Sequence, residues 1–317
     1  MRALVTGCAG FVGSHLSEQL LAQGHEVVGV DCFTDYYPRA VKDANLRQAR
    51  EAARFSLREI DLASEPLAAL TALLEGIDVV YHQAAQPGVR SSWGEHFEDY
   101  VRNNVLATQR LLEAGKAHRQ RLTKFVYASS SSIYGDAEAF PTNESIRPAP
   151  ISPYGVTKLA GEQLAFLYWR HHGVPTLSLR YFAVYGPRQR PDMAFHRFIR
   201  AALRDEPIQV YGTGEQTRDF TFVSDVVAAN LAAGDSRGVG MPINVGGGSR
   251  VSLNHVIGML GDLLGRPPRV QHLATESSEV RDTSADTFAA AKVLGFAPRV
   301  DLRSGLTAEL RWIEAGL

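Results

Sequence analysis

Short apolar runs alternate with longer amphipathic stretches through the first half of the chain. The runs "ALVTG", "EVVGVD", "FSLREID", "DVVYHQAA", "KFVYASS" and "PTLSLRYF" read as strands. Between them, Phe11–Gln23, Pro66–Leu74, Phe97–His118 and Ser152–His171 carry apolar residues at helical spacing. Strands separated by helices of this length need right-handed crossovers, which build a parallel sheet covered on both faces. The pattern predicts an α/β fold, a doubly wound parallel sheet over residues 1–182. Beyond Phe182 the strands shorten ("IQVYG", "INVGG") and mix with helices such as Asp225–Ala233 and Leu253–Leu264. A smaller α+β lobe over residues 183–317 is expected, its segments interleaved with the first domain. The polar loop from Asp136 to Pro153 is long enough to be functional or mobile. The only low-complexity stretch is the serine run of "YASSSSIYG".

The 317 residues are 45% hydrophobic, enough for one large core and a second, smaller one. Lys plus Arg (33) nearly cancels Asp plus Glu (34), so no overall field favours nucleic acid or an anionic membrane. An acidic ligand must be held by local groups. "MRALVTG" runs straight into a strand, and no apolar run reaches membrane-spanning length. Cys8 and Cys32 are too few for a disulfide framework, which fits a reducing cytoplasm. His171 and His172 are adjacent on a helix and point in different directions, and no other grouping has ligand spacing, so no metal is expected.

The first strand ends in "TGCAGFVGSH", with Gly7, Gly10 and Gly13 opening a helix whose first residues include Phe11 and Val12. The first glycine lets the chain turn, the second lets backbone approach a pyrophosphate, and the third lets helix pack on strand. The second strand ends in Asp31, where a carboxylate takes the adenosine ribose hydroxyls of a dinucleotide. This is a Rossmann pattern. No Arg or Lys is adjacent to Asp31 in the sequence, so a 2′-phosphate would meet repulsion, and NAD is expected over NADP. In "SPYGVTK", Tyr154 and Lys158 are four apart and share a helix face, with Ser152 as N-cap and Pro153 at the first helical position. A tyrosine becomes a base near neutral pH only if a neighbouring cation stabilises its phenolate, and Lys158 can be that cation.

The glycine loop, Asp31, "HQAAQ", "NNV", the serine-bearing strand and Tyr-x-x-x-Lys occur in the order that identifies the extended short-chain dehydrogenase/reductases. The chain resembles their NAD-dependent nucleotide-sugar epimerase/dehydratase branch over essentially its whole length, including "RDFTFVSDV" and "LGFAP". The resemblance implies that Ser130, four positions before Tyr134, shares the sugar O4 proton with Tyr154, and that Ser129 lies on the nicotinamide side. It adds Asp61, Leu62, Ala84, Ala85, Asn104 and Tyr181 to the cofactor side and Gln86 and Ser131 to the sugar side. Relatives that dehydrate the sugar carry Asp and Glu where this chain has Ser131 and Ser132, and decarboxylating relatives keep the Glu. Without a carboxylate there, the expected chemistry stops at reversible oxidation of C4, which is epimerisation.

"DCFTDYYPRAVKDANL", "AAQPGVRSSW" and "YGPRQRPDMAFHRFI" resemble the UDP-glucuronate 4-epimerase branch. That resemblance sets Arg190 against the C6 carboxylate and Arg90 near the diphosphate or sugar. It gives uracil and ribose to Ala194, Phe195, Gln209 and Tyr211, and the diphosphate to Arg218, with Arg281 as a second arginine. Two departures stand out: Ala183 replaces an Asn or Thr, and the arginine usual just before "SSEVRDT" is missing. The resemblance also implies a homodimer built on the Phe97–His118 and Ser152–His171 helices. A UDP-glucose 4-epimerase, a decarboxylase or 4,6-dehydratase with other proton carriers, and a dinucleotide-binding protein without chemistry are the alternatives. The last has no use for Ser130, Tyr154 and Lys158 together.

Overall fold

The computed structural model describes residues 1–274 and 280–316. The chain begins β1 (Arg2–Thr6), α1 (Phe11–Ala22), β2 (Glu26–Asp31), α2 (Arg39–Asn45), α3 (Arg47–Glu51), β3 (Phe55–Glu59), α4 (Leu67–Leu73) and β4 (Val79–His82). It continues α5 (Phe97–Tyr100), α6 (Ala107–Ala117), β5 (Lys124–Ser130), α7 (Pro153–His172), β6 (Thr176–Tyr181), β7 (Ala183–Tyr185) and α8 (Ala194–Leu203). Then come β8 (Ile208–Tyr211), β9 (Thr217–Phe222), α9 (Val223–Asp235), β10 (Pro242–Val245), β11 (Arg250–Ser252), α10 (Leu253–Leu264), β12 (Val270–Leu273) and α11 (Leu302–Glu314).

The central sheet runs β10-β6-β5-β4-β1-β2-β3, with every neighbouring pair parallel. Its strands bury alternate side chains on opposite faces. In β1, Ala3 and Val5 join the core formed with Leu16 and Leu20 of α1 and Val226 of α9. Leu4, between them, joins Leu70 of α4, Leu111 of α6 and Ala165 of α7 on the other face. Strand order reverses between β1 and β4, paired in register from Ala3–Val79 to Thr6–His82, and their carboxyl-terminal loops diverge there to leave a crevice.

The smaller lobe packs around Phe195, Phe198, Ile199 and Ala202, spaced i, i+3, i+4, i+7 on α8, with Leu306 and Leu310 of α11. Two short sheets, β11-β9-β7 and β12-β8, complete it. Two expectations need correction. The strand in "INVGG" is not part of the lobe: β10 is the edge strand of the central sheet, paired with β6. The helix expected over Phe97–His118 widens to π-type pairing over Val101–Leu106 between α5 and α6. Between β2 and β3 the chain also forms the short helices α2 and α3. Among the described residues, no helix is long and apolar enough to cross a membrane.

Candidate active site

A cavity of about 750 Å³ lies between the carboxyl edge of the central sheet and the smaller lobe. One end is built by the glycine loop. Gly7 takes φ +66°, and a Cβ on it would stand 2.8 Å from the Ala84 amide nitrogen; a Cβ on Gly13 would meet the Gly7 carbonyl oxygen at 2.1 Å. The turn and the packing of α1 on β1 therefore admit nothing larger. Gly7, Gly10, Phe11, Val12 and Gly13 all line this end, with Asp31, Asp61, Leu62, Ala84 and Ala85 around them.

Asp31 accepts the amides of Ala9 (3.1 Å) and Phe33 (2.8 Å). Burial raises its pKa, and those two amides and the Lys42 charge oppose the rise. The sequence puts no cation next to Asp31, but α2 brings Lys42 into the same wall. Its ammonium is committed to the Thr34 carbonyl at 2.6 Å.

Elsewhere along the cavity, β5 and α7 present the candidate catalytic groups. Ser152 caps α7 by accepting the Gly155 amide at 3.1 Å, with Pro153 in the first turn, as the sequence predicts. This directs Tyr154 and Lys158 into the cavity beside Ser129, Ser130, Ser131, Gln86 and Tyr181. Ser130 Oγ accepts the Ser132 amide at 3.1 Å, which leaves its hydroxyl proton for the hydrogen bond to Tyr154. Burial raises the Tyr154 pKa, and the Ser130 hydrogen bond and the Arg190 charge act against that rise. Burial pushes Lys158 down to about 7, opposed by the charge of Glu162 one turn further along α7. Lys158 Nζ lies 4.7 Å from the centroid of the Tyr127 ring.

Glu162 is itself held by Arg180 at 2.6 and 3.1 Å and by the Ser129 hydroxyl at 2.6 Å. The Ser129 hydroxyl is thus turned to this buried ion pair. Beneath the site, His82 sits between Thr6 Oγ1 (2.7 Å, at Nδ1) and Thr108 Oγ1 (2.9 Å, at Nε2).

At the far end stand Arg90, Arg190, Ala194, Phe195, Gln209 and Tyr211, with Arg218 beyond. The Arg90 guanidinium lies 3.7 Å above the Tyr211 ring, joining the β4 loop to the smaller lobe. Arg190 pairs with Asp192 at 2.9 Å. Arg218 Nη1 donates to the Thr217 and Arg281 carbonyls at 3.0 and 2.8 Å.

Two expected residues do not line the cavity. Asn104 is buried behind it, where its amide accepts the Gln86 N–H (2.6 Å) and donates to the Gln86 carbonyl (3.0 Å) and Thr157 (2.9 Å). It fixes the backbone of Gln86, and Asn103 reaches the cavity instead. The Arg281 side chain is 82% exposed and points away, beside Asp282. The missing arginine before "SSEVRDT" and Glu279 lie outside the described residues. Tyr36, Tyr37, Lys42 and Asp192 line the cavity without having been singled out; an adjacent aromatic pair in a polar insertion was the available signal. Among the described residues, no cluster of three or more His, Cys, Asp or Glu is placed to hold a metal ion.

The profile of the NAD dependent epimerase/dehydratase family matches residues 3–246. An uncharacterised UDP-glucose epimerase of Bacillus subtilis is 43% identical, over 99% of this chain and 98% of its own. A UDP-glucuronate 4-epimerase of Thermodesulfobacterium geofontis is 36% identical, over 98% and 95%. The crystal structure of a Bacillus cereus UDP-glucuronic acid 4-epimerase in complex with UDP-glucuronic acid and NAD is 43% identical, covers 100% of both chains and superposes with a TM-score of 0.96. With a glycine loop, a serine-bearing strand and a Tyr-Lys helix around one cavity, this chain belongs to the NAD dependent epimerase/dehydratase family.

Proposed function

We propose that the protein is an NAD-dependent 4-epimerase of UDP-hexoses that interconverts UDP-glucuronate and UDP-galacturonate through a transient 4-keto sugar. The observation that carries the reading is the convergence of Ser130, Tyr154 and Lys158 on one cavity with serine, not carboxylate, at positions 131 and 132. The glycine cradle and Asp31 suit NAD, since the glycine turn admits nothing larger and the Asp31 carboxylate lines the same end of the cavity. The Lys42 ammonium in the same wall donates to the Thr34 carbonyl. When bound, NAD accepts the C4 hydride and returns it.

The chain's own residues handle the proton. Tyr154, as phenolate, takes it from the C4 hydroxyl, and Ser130 donates a hydrogen bond to the phenolate oxygen. The Glu162 charge favours the cationic form of Lys158 against burial, and that cation favours the ionised tyrosine. Ser131 and Ser132 offer no acid to C5 or C6, so the β-keto acid keeps its carboxylate. We assign the cofactor to residues 1–182 and the nucleotide sugar to residues 183–317. In that second part Arg190 meets C6, Arg218 the diphosphate, and Ala194, Phe195, Gln209 and Tyr211 the uridine.

One observation favours UDP-glucose as a second substrate: Ala183 lacks a side-chain hydrogen bond for the sugar. Incubation of the purified protein with each UDP-sugar, with products identified by mass and NMR, decides the matter. Unchanged mass with a galacto product from UDP-glucuronate is expected; loss of CO2 or of water rejects epimerisation. Replacing Arg190 by Ala should lower kcat/KM for UDP-glucuronate about ten- to a hundredfold and for UDP-glucose much less.

We also place the protein in the cytoplasm, where Cys8 and Cys32 stay free thiols, and propose a homodimer. Phe97, Val101, Leu106, Val156, Phe166 and Leu167 are exposed apolar residues on the α5–α6 stretch and on α7, elements that pack side by side. A second copy covers them. Light scattering should give twice the chain mass of 34.7 kDa, and a single-chain mass rejects the dimer.

A further inference from the structure

Within the protein itself, Arg190 already holds a carboxylate. Its Nε and Nη2 donate to the two oxygens of Asp192 at 3.0 and 2.9 Å, and the Tyr36 hydroxyl stands 3.4 Å from Asp192 Oδ2. Both members of the pair line the cavity. Arg190 is 17% exposed at its side chain and Asp192 40%, so the arginine is set into the wall and the aspartate into its mouth.

The segment that carries them has little freedom. The Gly186 amide donates to Glu309 at 2.8 Å, His15 Nε2 meets the Pro187 carbonyl at 2.9 Å, and Arg188 pairs with Glu18 at 2.8 and 3.0 Å. The Gln189 side chain is locked between the Val184 carbonyl (3.1 Å) and the His196 amide (2.9 Å). The backbone that presents Arg190 is therefore held in place, and its guanidinium rests on Asp192. A ligand carboxylate that reaches it shares the guanidinium, and two negative charges then meet on one fork.

We infer that Asp192 is a specificity-determining residue, which lowers the preference of the site for a C6 carboxylate over a C6 hydroxymethyl group. The inference rests on the reading of Arg190 as the group that meets C6. A neutral sugar feels little of the Asp192 charge. An anionic one is repelled by it, and the repulsion is least screened where water is excluded. The site is thus built to accept both C6 chemistries, and Asp192 sets the balance.

The test is the ratio of kcat/KM for UDP-glucuronate to that for UDP-glucose in wild type, Asp192→Asn, Asp192→Glu, Arg190→Ala and the Asp192→Asn/Arg190→Ala double variant. Asparagine keeps an acceptor for the guanidinium and removes the charge. It should raise the ratio about three- to tenfold, chiefly through a lower KM for UDP-glucuronate. Asp192→Glu, which keeps the charge, should stay closer to wild type than Asp192→Asn. In the Arg190→Ala background the asparagine substitution should lose most of its effect. A ratio that stays level or falls in Asp192→Asn while Arg190→Ala lowers it overturns the inference and leaves Asp192 as a holder of Arg190. If Arg190→Ala leaves the ratio unchanged, the reading of Arg190 itself fails. Should Asp192→Asn not fold, as judged by thermal denaturation, a ratio in Asp192→Glu shifted well above wild type overturns the inference on its own.

Discussion

At the residue scale the site depends on which hydroxyl, of several neighbours, is aimed at the tyrosine. Ser130 differs from Ser131 and Ser132 because its Oγ accepts the Ser132 amide, so its one proton is directed to Tyr154. Ser130→Ala should accordingly slow turnover much more than Ser131→Ala or Ser132→Ala in a steady-state assay. Equal effects at the three positions would return the run to a polar loop. Tyr154→Phe removes the proton acceptor and little else: turnover should fall by about 10²–10⁴-fold while calorimetry finds NAD and substrate binding nearly intact. A variant that keeps wild-type turnover contradicts the assignment. The Tyr-Lys pair was legible because a four-residue spacing on a capped helix fixes a shared face. The Glu162–Arg180 pair that supports it was not, since its members are brought together only by the packing of α7 on β6.

At the element scale, what the sequence reveals is what local geometry dictates. The β1–α1 turn needs glycines for steric reasons, so its spacing is readable. Asn104 was expected on the cofactor side and lies behind the cavity; that its amide clamps Gln86 depends on how the α5–α6 stretch docks beside α7. Lys42 reaches Asp31 from the next helix, a distance that adjacency in sequence does not measure. The strand in "INVGG" misled for a similar reason, since a short apolar strand carries no mark of the sheet it joins. The glycine turn supplies its own test. In Gly13→Ala the new methyl would meet the Gly7 carbonyl oxygen at 2.1 Å, so α1 must move off β1 and the cradle opens. The variant should purify without NAD and bind it at least tenfold more weakly by calorimetry. Unaltered affinity would mean that the dinucleotide does not lie on this turn.

At the scale of the whole molecule, stability rests on buried groups that titrate in opposite senses. Thr108 Oγ1 donates to the Asn104 carbonyl, so it accepts from His82 Nε2–H; Thr6 Oγ1 accepts the Ala84 amide, so it donates to Nδ1. His82 is thus satisfied only as a neutral ring, and burial pushes it down to about 3, with Lys158 adding to the fall. His15, against the Pro187 carbonyl, is pushed by burial to about 4. Below their ordinary 6.5 the unfolded chain takes up protons that the fold refuses, so stability drains away as pH falls toward those values. Glu309 works the other way. It is fully buried, holds the Gly186 amide with one oxygen and, among the described residues, has no hydrogen-bond partner for the other. Burial raises it from 4.5 to about 8, opposed by that amide. Its folded-state pKa is the higher one, so its stabilisation is complete below 4.5 and is lost as pH rises through about 8. Over that window the loss is at most on the order of 5 kcal/mol. Glu309→Gln keeps a carbonyl oxygen for Gly186 and cannot ionise. Thermal denaturation of both proteins from pH 4.5 to 8 should therefore find them alike at the acid end, with the glutamine variant gaining several degrees over wild type toward pH 8. A variant less stable than wild type by the same margin at every pH would mean that Glu309 is ionised in the fold, and that its charge, not its shape, secures the segment leading to Arg190.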